Sequence, residues 1–200
     1  MGKAFSEEER EQVQERLRRV GLKLLAKRGI RSVSIRELTR EVGIAQGGFY
    51  TFYKDKEDFV LDLMCLRVQE KTQLMYERRE DTLKDPRGFL TTLFFREGMH
   101  LKENKAFQNG ESQTLEFWER MTKMEGTRIH ETYIAFLDKM ISYWQENGYE
   151  VTCDRQGLLN VGKAAGILFT NANLIGDPYF EQIYKAFCET EIDLYFKAVK

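Results

Sequence analysis

The residues of this chain with the clearest chemical potential lie between positions 42 and 59, where the sequence reads VGIAQGGFYTFYKDKEDF. Two adjacent glycines, Gly47 and Gly48, precede a run of aromatic and basic residues. Glycine allows a backbone to approach a ligand closely, and lysine and tyrosine side chains bind phosphate. A phosphate loop of the GxxxxGK[ST] type needs lysine directly after its last glycine, whereas Phe49 follows Gly48. The stretch is therefore interpreted as a helix, a tight turn and a helix.

Other motifs for catalysis or metal binding are missing from the sequence. It contains no GxSxG or HExxH motif, and its acidic residues are scattered. Cys65, Cys153 and Cys188 are odd in number and far apart, which indicates buried thiols in a reducing cytoplasm. His100 and His130 lack metal-ligand spacing. We therefore expect no enzyme activity, no cofactor, no metal and no signal peptide.

Two helices precede the glycine pair. Residues Ser6–Glu9 form the S-x-x-E pattern of a capping box, and apolar residues at helical spacing continue to a stop near Gly29. Residues Ser34–Glu37 repeat the pattern and begin a short second helix. Gly43 is expected to end that helix.

A third helix of about two turns is expected to begin at Ala45 or Gln46. Phe49 and either Phe52 or Tyr53 would face inward. The outward-facing residues would be Gln46, Gly47, Gly48, Tyr50 and Thr51. So short a helix is marginal in water, and each glycine weakens it by up to ~1 kcal/mol relative to alanine. Two explanations stay open: close backbone approach to a partner such as the DNA major groove, or tight packing on a neighbouring helix.

The sequence after the glycine pair also predicts helices. Asp55 caps a helix reaching to about Arg78, and the Asp-Pro pairs at 85–86 and 177–178 mark two helix starts. Further helices are expected at 86–103, 112–124, 127–147, 154–175 and 178–198. Strand-like alternation is nearly absent, and no apolar run approaches the ~20 residues that span a bilayer. These patterns predict an all-α fold of about nine helices with no membrane association.

Charge is distributed unevenly along the chain. The net charge is −1, but residues 10–56 hold twelve Lys and Arg against five Asp and Glu, or +7. The remainder therefore carries −8. This asymmetry indicates a basic N-terminal module on an acidic body, as in nucleic-acid-binding proteins. The alternative is a charged but unspecialised helix surface.

Three stretches of the N-terminal region match a known pattern. They are AKRG at Ala26–Gly29, SIREL at Ser34–Leu38 and GIAQGGFYTFYKDKE at Gly43–Glu57. Residues 8–60 thereby resemble the DNA-binding region of the TetR family of bacterial transcription regulators. The resemblance implies a three-helix helix-turn-helix domain at 1–54 and a helical ligand-binding and dimerisation domain at 55–200. It also implies a homodimeric repressor that a small-molecule effector releases from a palindromic, double-stranded DNA operator.

The resemblance implies roles for particular residues. Arg36 would reach a base or a phosphate, and Gln46 would read a base edge, since glutamine pairs with N6 and N7 of adenine. Tyr50 and Lys56 would contact phosphates, and Ser34 would cap its helix while facing the DNA backbone. The predicted DNA-binding set is Ser34, Arg36, Gln46, Gly47, Gly48, Tyr50, Thr51, Lys54 and Lys56.

Aromatic and methionine residues concentrate between positions 90 and 145. Such residues line apolar ligand cavities, although they also form ordinary cores. An apolar or amphipathic effector suits this lining. The predicted ligand-binding set is Phe94, Phe95, Met99, His100, Phe117, Trp118, Met121, Tyr133 and Asn171.

The last two predicted helices carry the features of a subunit interface. Small residues interrupt the apolar run at 158–175, and the final helix is apolar on more than one face. A fully buried central helix would show the same pattern. With the resemblance, the pattern predicts a homodimer through Leu158, Gly162, Ala165, Phe169, Tyr184, Phe187 and Tyr195.

Two other functional classes stay open at this point. One is a helical enzyme whose site assembles only in three dimensions, and the other is a small-molecule carrier with no role on DNA. The carrier leaves unexplained the basic module and the tyrosine and lysine residues around the glycine turn.

The basic module predicts a DNA affinity that falls steeply with salt. Each phosphate neutralised releases counterions, so log K should fall with log salt by about 0.9 per phosphate. Titration of duplex DNA at several salt concentrations measures this slope. An affinity independent of salt, or no duplex binding below about 50 mM salt, would contradict the prediction.

Overall fold

The structure, a computed structural model, describes residues 6–28, 33–103 and 128–200. The chain divides into two compact units, Met1–Arg67 and Val68–Lys200. Helices dominate the described residues of both units, which confirms the predicted all-α class. The division of function at residue 54 stays a prediction.

The first unit contains α1 (Glu7–Arg28), α2 (Ile35–Val42), α3 (Gln46–Phe49) and the first part of α4 (Lys56–Glu77). Capping side chains begin α1 and α2 where the sequence predicts. The Ser6 backbone N–H donates to Glu9 Oε2 at 2.8 Å, and the Glu9 N–H donates to Ser6 Oγ at 3.2 Å. Ser34 Oγ accepts the Glu37 N–H at 3.4 Å. Both capping interactions satisfy backbone donors that a helix start leaves without partners.

The turn between α2 and α3 depends on a left-handed glycine. Gly43 has a φ of 80°, and its N–H donates to the Thr39 carbonyl, which ends α2 as predicted. The predicted length of α3 is wrong, because the helix covers four residues rather than two turns. Its cap residue, Ala45, makes no side-chain hydrogen bond, and two of its four residues are glycine. The chain then turns toward α4.

Aromatic rings hold α3 against the core of the first unit. Phe49 is fully buried, and its ring meets that of Phe59 on α4 edge-on at 5.5 Å. Tyr53 is also buried, with its ring 4.8 Å from Phe59, whereas Phe52 is only half-buried. Of the two inward-facing candidates beside Phe49, the structure selects Tyr53. The core around these rings also contains Val13, Leu17, Val33, Leu38, Val42 and Leu63.

A polar network crosses this core. Asp62 on α4 accepts hydrogen bonds from Arg18 Nε at 2.7 Å and Nη2 at 3.0 Å, and from the Tyr53 hydroxyl at 2.8 Å. Burial, with a further contribution from the bond to Asp62, raises the pKa of Tyr53 to about 12, so its hydroxyl stays a donor at neutral pH. Arg18 therefore binds inside the fold, although it counts among the cations of the basic module.

The second unit consists of the end of α4 followed by helices and a small sheet. Its elements are a 3₁₀ helix (Arg79–Lys84), α5 (Pro86–Glu103), α6 (Arg128–Glu146), β1 (Glu150–Cys153), α7 (Arg155–Thr170), α8 (Ala172–Ile175), α9 (Tyr179–Tyr195) and β2 (Phe196–Val199). Asp85 caps α5 through the Gly88 N–H at 2.8 Å, as the Asp-Pro pattern predicts. The helix predicted at 112–124 lies outside the described residues.

The two-stranded sheet corrects the sequence prediction. We expected the last helix to reach residue 198, but α9 ends at Tyr195 and the chain continues as β2. β2 pairs antiparallel with β1, with Cys153 opposite Phe196. The fully buried Phe196 packs with Trp144 in one core of this unit, at a ring separation of 5.4 Å. This buried aromatic residue fixes the strand on the body.

The structure also differs from the sequence prediction at two places near the end of the chain. The helix expected at 154–175 is divided at Asn171, whose side-chain amide donates to the Ile167 carbonyl at 2.7 Å and closes α7. Asp177 does not cap α9 with its side chain, because Pro178 occupies the cap position and the Asp177 carboxylate pairs with Lys102.

None of the described helices is long and apolar enough to cross a membrane.

The contact between α1 and α4 yields a stability prediction. A Cβ atom at Gly21 would lie 2.4 Å from Phe59 Cζ and 2.8 Å from Leu63 Cδ1. Phe59 and Leu63 are fully buried and cannot move away cheaply. Gly21→Ala should therefore destabilise the protein by about 1–3 kcal/mol, although alanine is the better helix former.

Urea unfolding measures this difference, with Gly47→Ala as the control. A Cβ atom at Gly47 would meet no other atom of the described chain within 4 Å. A Gly21→Ala variant as stable as the control would contradict the close packing of α1 on α4.

Candidate nucleic-acid interface

The predicted DNA-binding residues lie on the surface of the first unit. They occupy the start of α2, the whole exposed side of α3, the turn after α3 and the first residue of α4. Gly48 and Lys56 are half-buried, and the exposed members are Ser34, Arg36, Gln46, Gly47, Tyr50, Thr51 and Lys54. The outward orientation expected for α3 is therefore observed, while the contacts of individual residues with DNA stay predictions.

Internal hydrogen bonds fix the turn after α3. The Thr51 hydroxyl donates to the Gly48 carbonyl at 2.8 Å. Arg10 Nη2, from α1, donates to the Thr51 carbonyl at 3.1 Å, and its guanidinium lies over the Phe52 ring at 5.4 Å. From the sequence, Arg10 is one of the cations of the basic N-terminal region, because a contact 41 residues away leaves no local signal. Arg10 positions the turn that carries Tyr50 and Thr51.

Hydrogen bonds also fix the start of α4. Asp55 Oδ1 accepts the Asp58 N–H at 2.8 Å, which confirms Asp55 as the cap, and Asp58 Oδ2 accepts the Lys54 N–H at 3.1 Å. Burial lowers the pKa of Lys56, and the charge of Glu57 partly opposes this shift. An anion beside Lys56 would offset the cost of desolvating its ammonium group.

Two explanations for the adjacent glycines Gly47 and Gly48 are close backbone approach to a partner and tight packing on a neighbouring helix. The geometry around both residues distinguishes between them. Neither residue has a positive φ. A Cβ atom at Gly47 would meet nothing in the described chain within 4 Å, and one at Gly48 would make ordinary contacts with Ile44 at 3.7 and 3.8 Å. Packing within the described chain therefore does not require glycine at either position. Among the described residues, tight packing on a neighbouring helix therefore does not explain the pair.

Tyr50 projects from the same surface. Its side chain is 53% exposed, although it is a large aromatic residue. The ring of Phe49 meets it edge-on at 5.4 Å, with an interplanar angle of 90°. This contact supports the base of the ring and leaves its outer part accessible to a partner.

The described residues contain no group of three or more His, Cys, Asp or Glu side chains that could hold a metal ion. All three cysteines are free thiols, with Cys65 and Cys188 buried and Cys153 half-buried.

The predicted ligand-binding residues have different environments. Phe94, Phe95 and Met99 are half-buried on α5 against a core of the second unit, and Tyr133 is half-buried on α6. His100 and Asn171 are exposed, and Asn171 is engaged in closing α7. The remaining members, Phe117, Trp118 and Met121, lie outside the described residues. The ligand-binding role of this set stays a prediction.

The predicted interface residues are mostly internal. Phe187 and Tyr195 are half-buried and Gly162 is exposed, whereas the buried members are Leu158, Ala165, Phe169 and Tyr184. These buried side chains lie in the cores of the second unit of the same chain.

Sequence analysis missed a set of exposed apolar residues on the same helices. On α9, Tyr179, Ile183 and Leu194 are exposed and lie near whole helical turns from one another. They are joined by Ile167 on α7 and Leu174 on α8. The apolar residues on two faces of the last helix are the sequence signal for this exposed set. One face of α9 is buried through Phe180, Tyr184, Cys188 and Ile192, so the apolar residues of its other face are left exposed.

Comparison with known proteins agrees with this geometry. Residues 17–63 match the family model for bacterial regulatory proteins of the tetR family. These residues contain the second half of α1, the whole of α2 and α3, and the first part of α4. No curated protein matches the sequence.

Two solved structures of RolR share the fold of this chain. RolR in complex with resorcinol is 17% identical with a TM-score of 0.59, and the match covers 95% of this chain and 90% of that chain. RolR without ligand is 15% identical with a TM-score of 0.56, covering 90% and 96%. FadR from Bacillus subtilis, in complex with stearoyl-CoA, is 16% identical with a TM-score of 0.47, covering 89% and 97%.

Residues 17–63 of this chain therefore correspond to the N-terminal region of bacterial regulatory proteins of the tetR family, and the chain shares its fold with RolR.

Proposed function

We propose that the protein is a repressor that binds a palindromic operator as a homodimer and dissociates when a small molecule binds its second unit. The observation that carries the proposal is the pair of Gly47, which is exposed, and Gly48, which is half-buried, since packing in the described chain requires glycine at neither position. The backbone of α3 can approach the edges and phosphates of a major groove closely only without side chains at these positions. A carrier or an enzyme has no need of this surface.

The surface around α3 supports a division of roles. Gln46 at the start of α3 is the base-reading residue, since its amide can bond to adenine. Tyr50, Thr51, Lys54 and Lys56 contact phosphates on one side. Ser34, which caps α2, faces the DNA backbone, and Arg36 reaches a base or a phosphate. Two such surfaces, one in each subunit, require half-sites one helical turn apart, about 34–36 Å, or a small multiple of it.

Replacing Gly47 with alanine tests this role of the glycine pair. Gly47→Ala should leave the free energy of unfolding unchanged or increase it by up to ~1 kcal/mol, because alanine favours the helix. It should weaken binding to duplex DNA by roughly 1–3 kcal/mol, the usual cost of overfilling a close contact. Fluorescence anisotropy with duplex DNA and urea unfolding measure the two effects.

The control for this experiment is Gly166→Ala on α7. A Cβ atom there would meet only Phe169 Cε1, at 3.8 Å, and the residue lies in the second unit. Equal DNA affinities for the two variants would contradict a close approach of the α3 backbone to DNA.

The exposed face of α9 supports the proposed homodimer. Tyr179, Ile183 and Leu194 place large apolar groups in water on a helix whose other face is already buried. A second subunit that packs its own α9 on this face would cover them. The internal residues Leu158, Ala165 and Phe169 then support the interface from behind.

Substitution at this face should separate the subunits. Ile183→Glu would bring two carboxylates near the twofold axis of the dimer and should give monomers at micromolar concentration. Gln182→Glu, at an exposed neighbouring position of α9, is the control and should stay dimeric. Sedimentation velocity distinguishes the two, and a monomeric wild-type protein at the same concentration would refute the proposed dimer.

The proposed effector binds in the second unit and acts through the dimer. It favours an arrangement of the two DNA-binding units that no longer matches the half-site separation. Such coupling is reciprocal, typically about 1–3 kcal/mol in each direction, so the operator weakens the effector equally. RolR, whose fold this chain shares, has been crystallised with resorcinol, a small aromatic diol. The regulator we propose acts in the cytoplasm and catalyses no reaction.

A further inference from the structure

Three polar residues follow one another at four-residue spacing along α1. They are Arg10, Gln14 and Arg18. Positions four apart are neighbours on a helix surface, so these side chains form one narrow row, which we call the α1 stripe. Arg10 is exposed and the other two are half-buried, while Val13 and Leu17 beside them are buried in the core of the first unit. The α1 stripe therefore follows the edge of the surface that α1 buries.

The first member of the α1 stripe binds the turn after α3. Arg10 Nη2 donates to the Thr51 carbonyl at 3.1 Å, and the guanidinium carbon lies 5.4 Å from the centre of the Phe52 ring. Because the guanidinium is planar, it can donate from its edge and stack with its face at the same time. Arg10 thereby holds two consecutive residues of the turn.

The other two members of the α1 stripe hold the next residue, Tyr53. Gln14 adjoins the Tyr53 hydroxyl. Arg18 binds Asp62 through Nε and Nη2, and the same carboxylate accepts the Tyr53 hydroxyl at 2.8 Å. One row of side chains on α1 therefore fixes residues 51–53, which directly follow α3 and Tyr50.

The bonds of Arg18 and Arg10 contribute differently to the protein. The Asp62 side chain is only 6% exposed, so loss of Arg18 would remove the cation from a buried carboxylate and destabilise the fold. Arg10 is exposed, and a hydrogen bond at the surface adds little to the free energy of unfolding. Its partner is the turn that carries Tyr50 and Thr51. The contact of Arg10 therefore acts mainly on the conformation of this turn.

The charge around Arg10 is negative. Its exposed neighbours in the first turns of α1 are Glu7, Glu8, Glu9 and Glu11. Carboxylates within a Debye length, about 8–10 Å, repel a DNA phosphate. Arg10 is therefore poorly placed to bind phosphate itself, although it is one of the cations of the basic N-terminal region.

We propose that Arg10 is a positioning residue for DNA binding, which holds the turn after α3 in the conformation from which Tyr50 and Thr51 reach phosphates, and that it makes no phosphate contact of its own. This inference rests on the proposed function, because it concerns the same DNA-binding surface. Gln14 and Arg18 support the far end of the turn. A turn that is already fixed in the free protein loses less conformational entropy when DNA binds.

Hydrogen exchange of the full chain without DNA tests the effect of Arg10 on the turn. The Phe52 and Tyr53 amides donate to the Phe49 carbonyl at 3.0 and 3.1 Å. In Arg10→Ala both amides should exchange at least about fivefold faster than in the wild type, because the turn opens locally. The amides of α4 should keep their wild-type rates, which shows that the fold is intact. Unchanged exchange of the two turn amides would overturn the proposal.

The salt dependence of duplex binding distinguishes a positioning residue from a phosphate contact. Arg10→Ala should weaken binding to a labelled duplex about three- to tenfold at fixed salt, the effect of losing one hydrogen bond. The slope of log K against log salt should keep its wild-type value. Lys54→Ala, which removes a predicted phosphate contact, should instead lower the slope by about 0.9 per subunit. An equal loss of slope in Arg10→Ala, or an unchanged affinity, would overturn the proposal.

Two further substitutions on α1 separate the role of the guanidinium from that of its charge. Arg19 is exposed and lies nine residues from Arg10, about two and a half turns, and so on the opposite side of the helix. Arg19→Ala removes the same charge and should bind DNA like the wild type. Arg10→Lys keeps the charge without the planar group and should stay at least about threefold weaker than the wild type. Full recovery with lysine, or equal losses in the two alanine variants, would overturn the proposal.

The two measurements also separate this proposal from the proposed function. A wild-type protein that binds no duplex DNA would contradict the proposed function, while the exchange rates, which need no DNA, would still show whether Arg10 holds the turn. Tight duplex binding by the wild type and by Arg10→Ala alike would contradict the positioning role alone.

Discussion

The ring of Phe49 supports the smallest helix of the protein. Helix α3 has four residues, two of them glycine, and no side-chain cap. A helix of this kind has little stability of its own in water. Its conformation therefore depends on the fully buried Phe49 ring, which packs against Phe59 and Tyr53. The first unit is organised around this contact, because α1 and α4 supply the walls in which these rings lie.

Charge in the first unit serves two purposes. Arg18 binds Asp62 inside the fold, and Arg10 fixes the turn after α3. Arg36, Arg40 and Lys54 are exposed at the surface. The net charge of residues 10–56 therefore overstates the number of cations that can contact phosphate. Arg10 and Arg18 instead stabilise the fold of the first unit, while Arg36, Arg40 and Lys54 stay exposed on its surface.

Local patterns explain which parts of the fold the sequence predicts. The capping residues Ser6, Ser34, Asp55 and Asp85 act on backbone groups within a few positions, so a short motif suffices to identify them. The pairing of β1 with β2 joins segments that are distant in the chain, and neither strand is long enough to show a clear alternation. The bond between Arg18 and Asp62 spans 44 positions and leaves no trace in composition or spacing.

The candidate sites likewise combine features that local patterns predict with features that depend on contacts between distant segments. Helical periodicity places Gln46, Gly47 and Tyr50 outward because Phe49 must face the core. On α9 the periodicity shows two apolar faces but not which one the subunit buries. The structure assigns Tyr184 to the core and Ile183 to the surface.

Selection of binding sites from random duplex DNA tests the central claim most directly, namely that α3 reads a major groove. The wild-type protein should enrich a palindrome whose half-sites lie about one helical turn apart. Gln46→Ala should lose preference at one base pair of each half-site, worth ~1–3 kcal/mol, whereas Lys56→Ala should keep the motif and bind all sequences more weakly. No enriched motif for the wild type, or an unchanged motif for Gln46→Ala, would contradict the account.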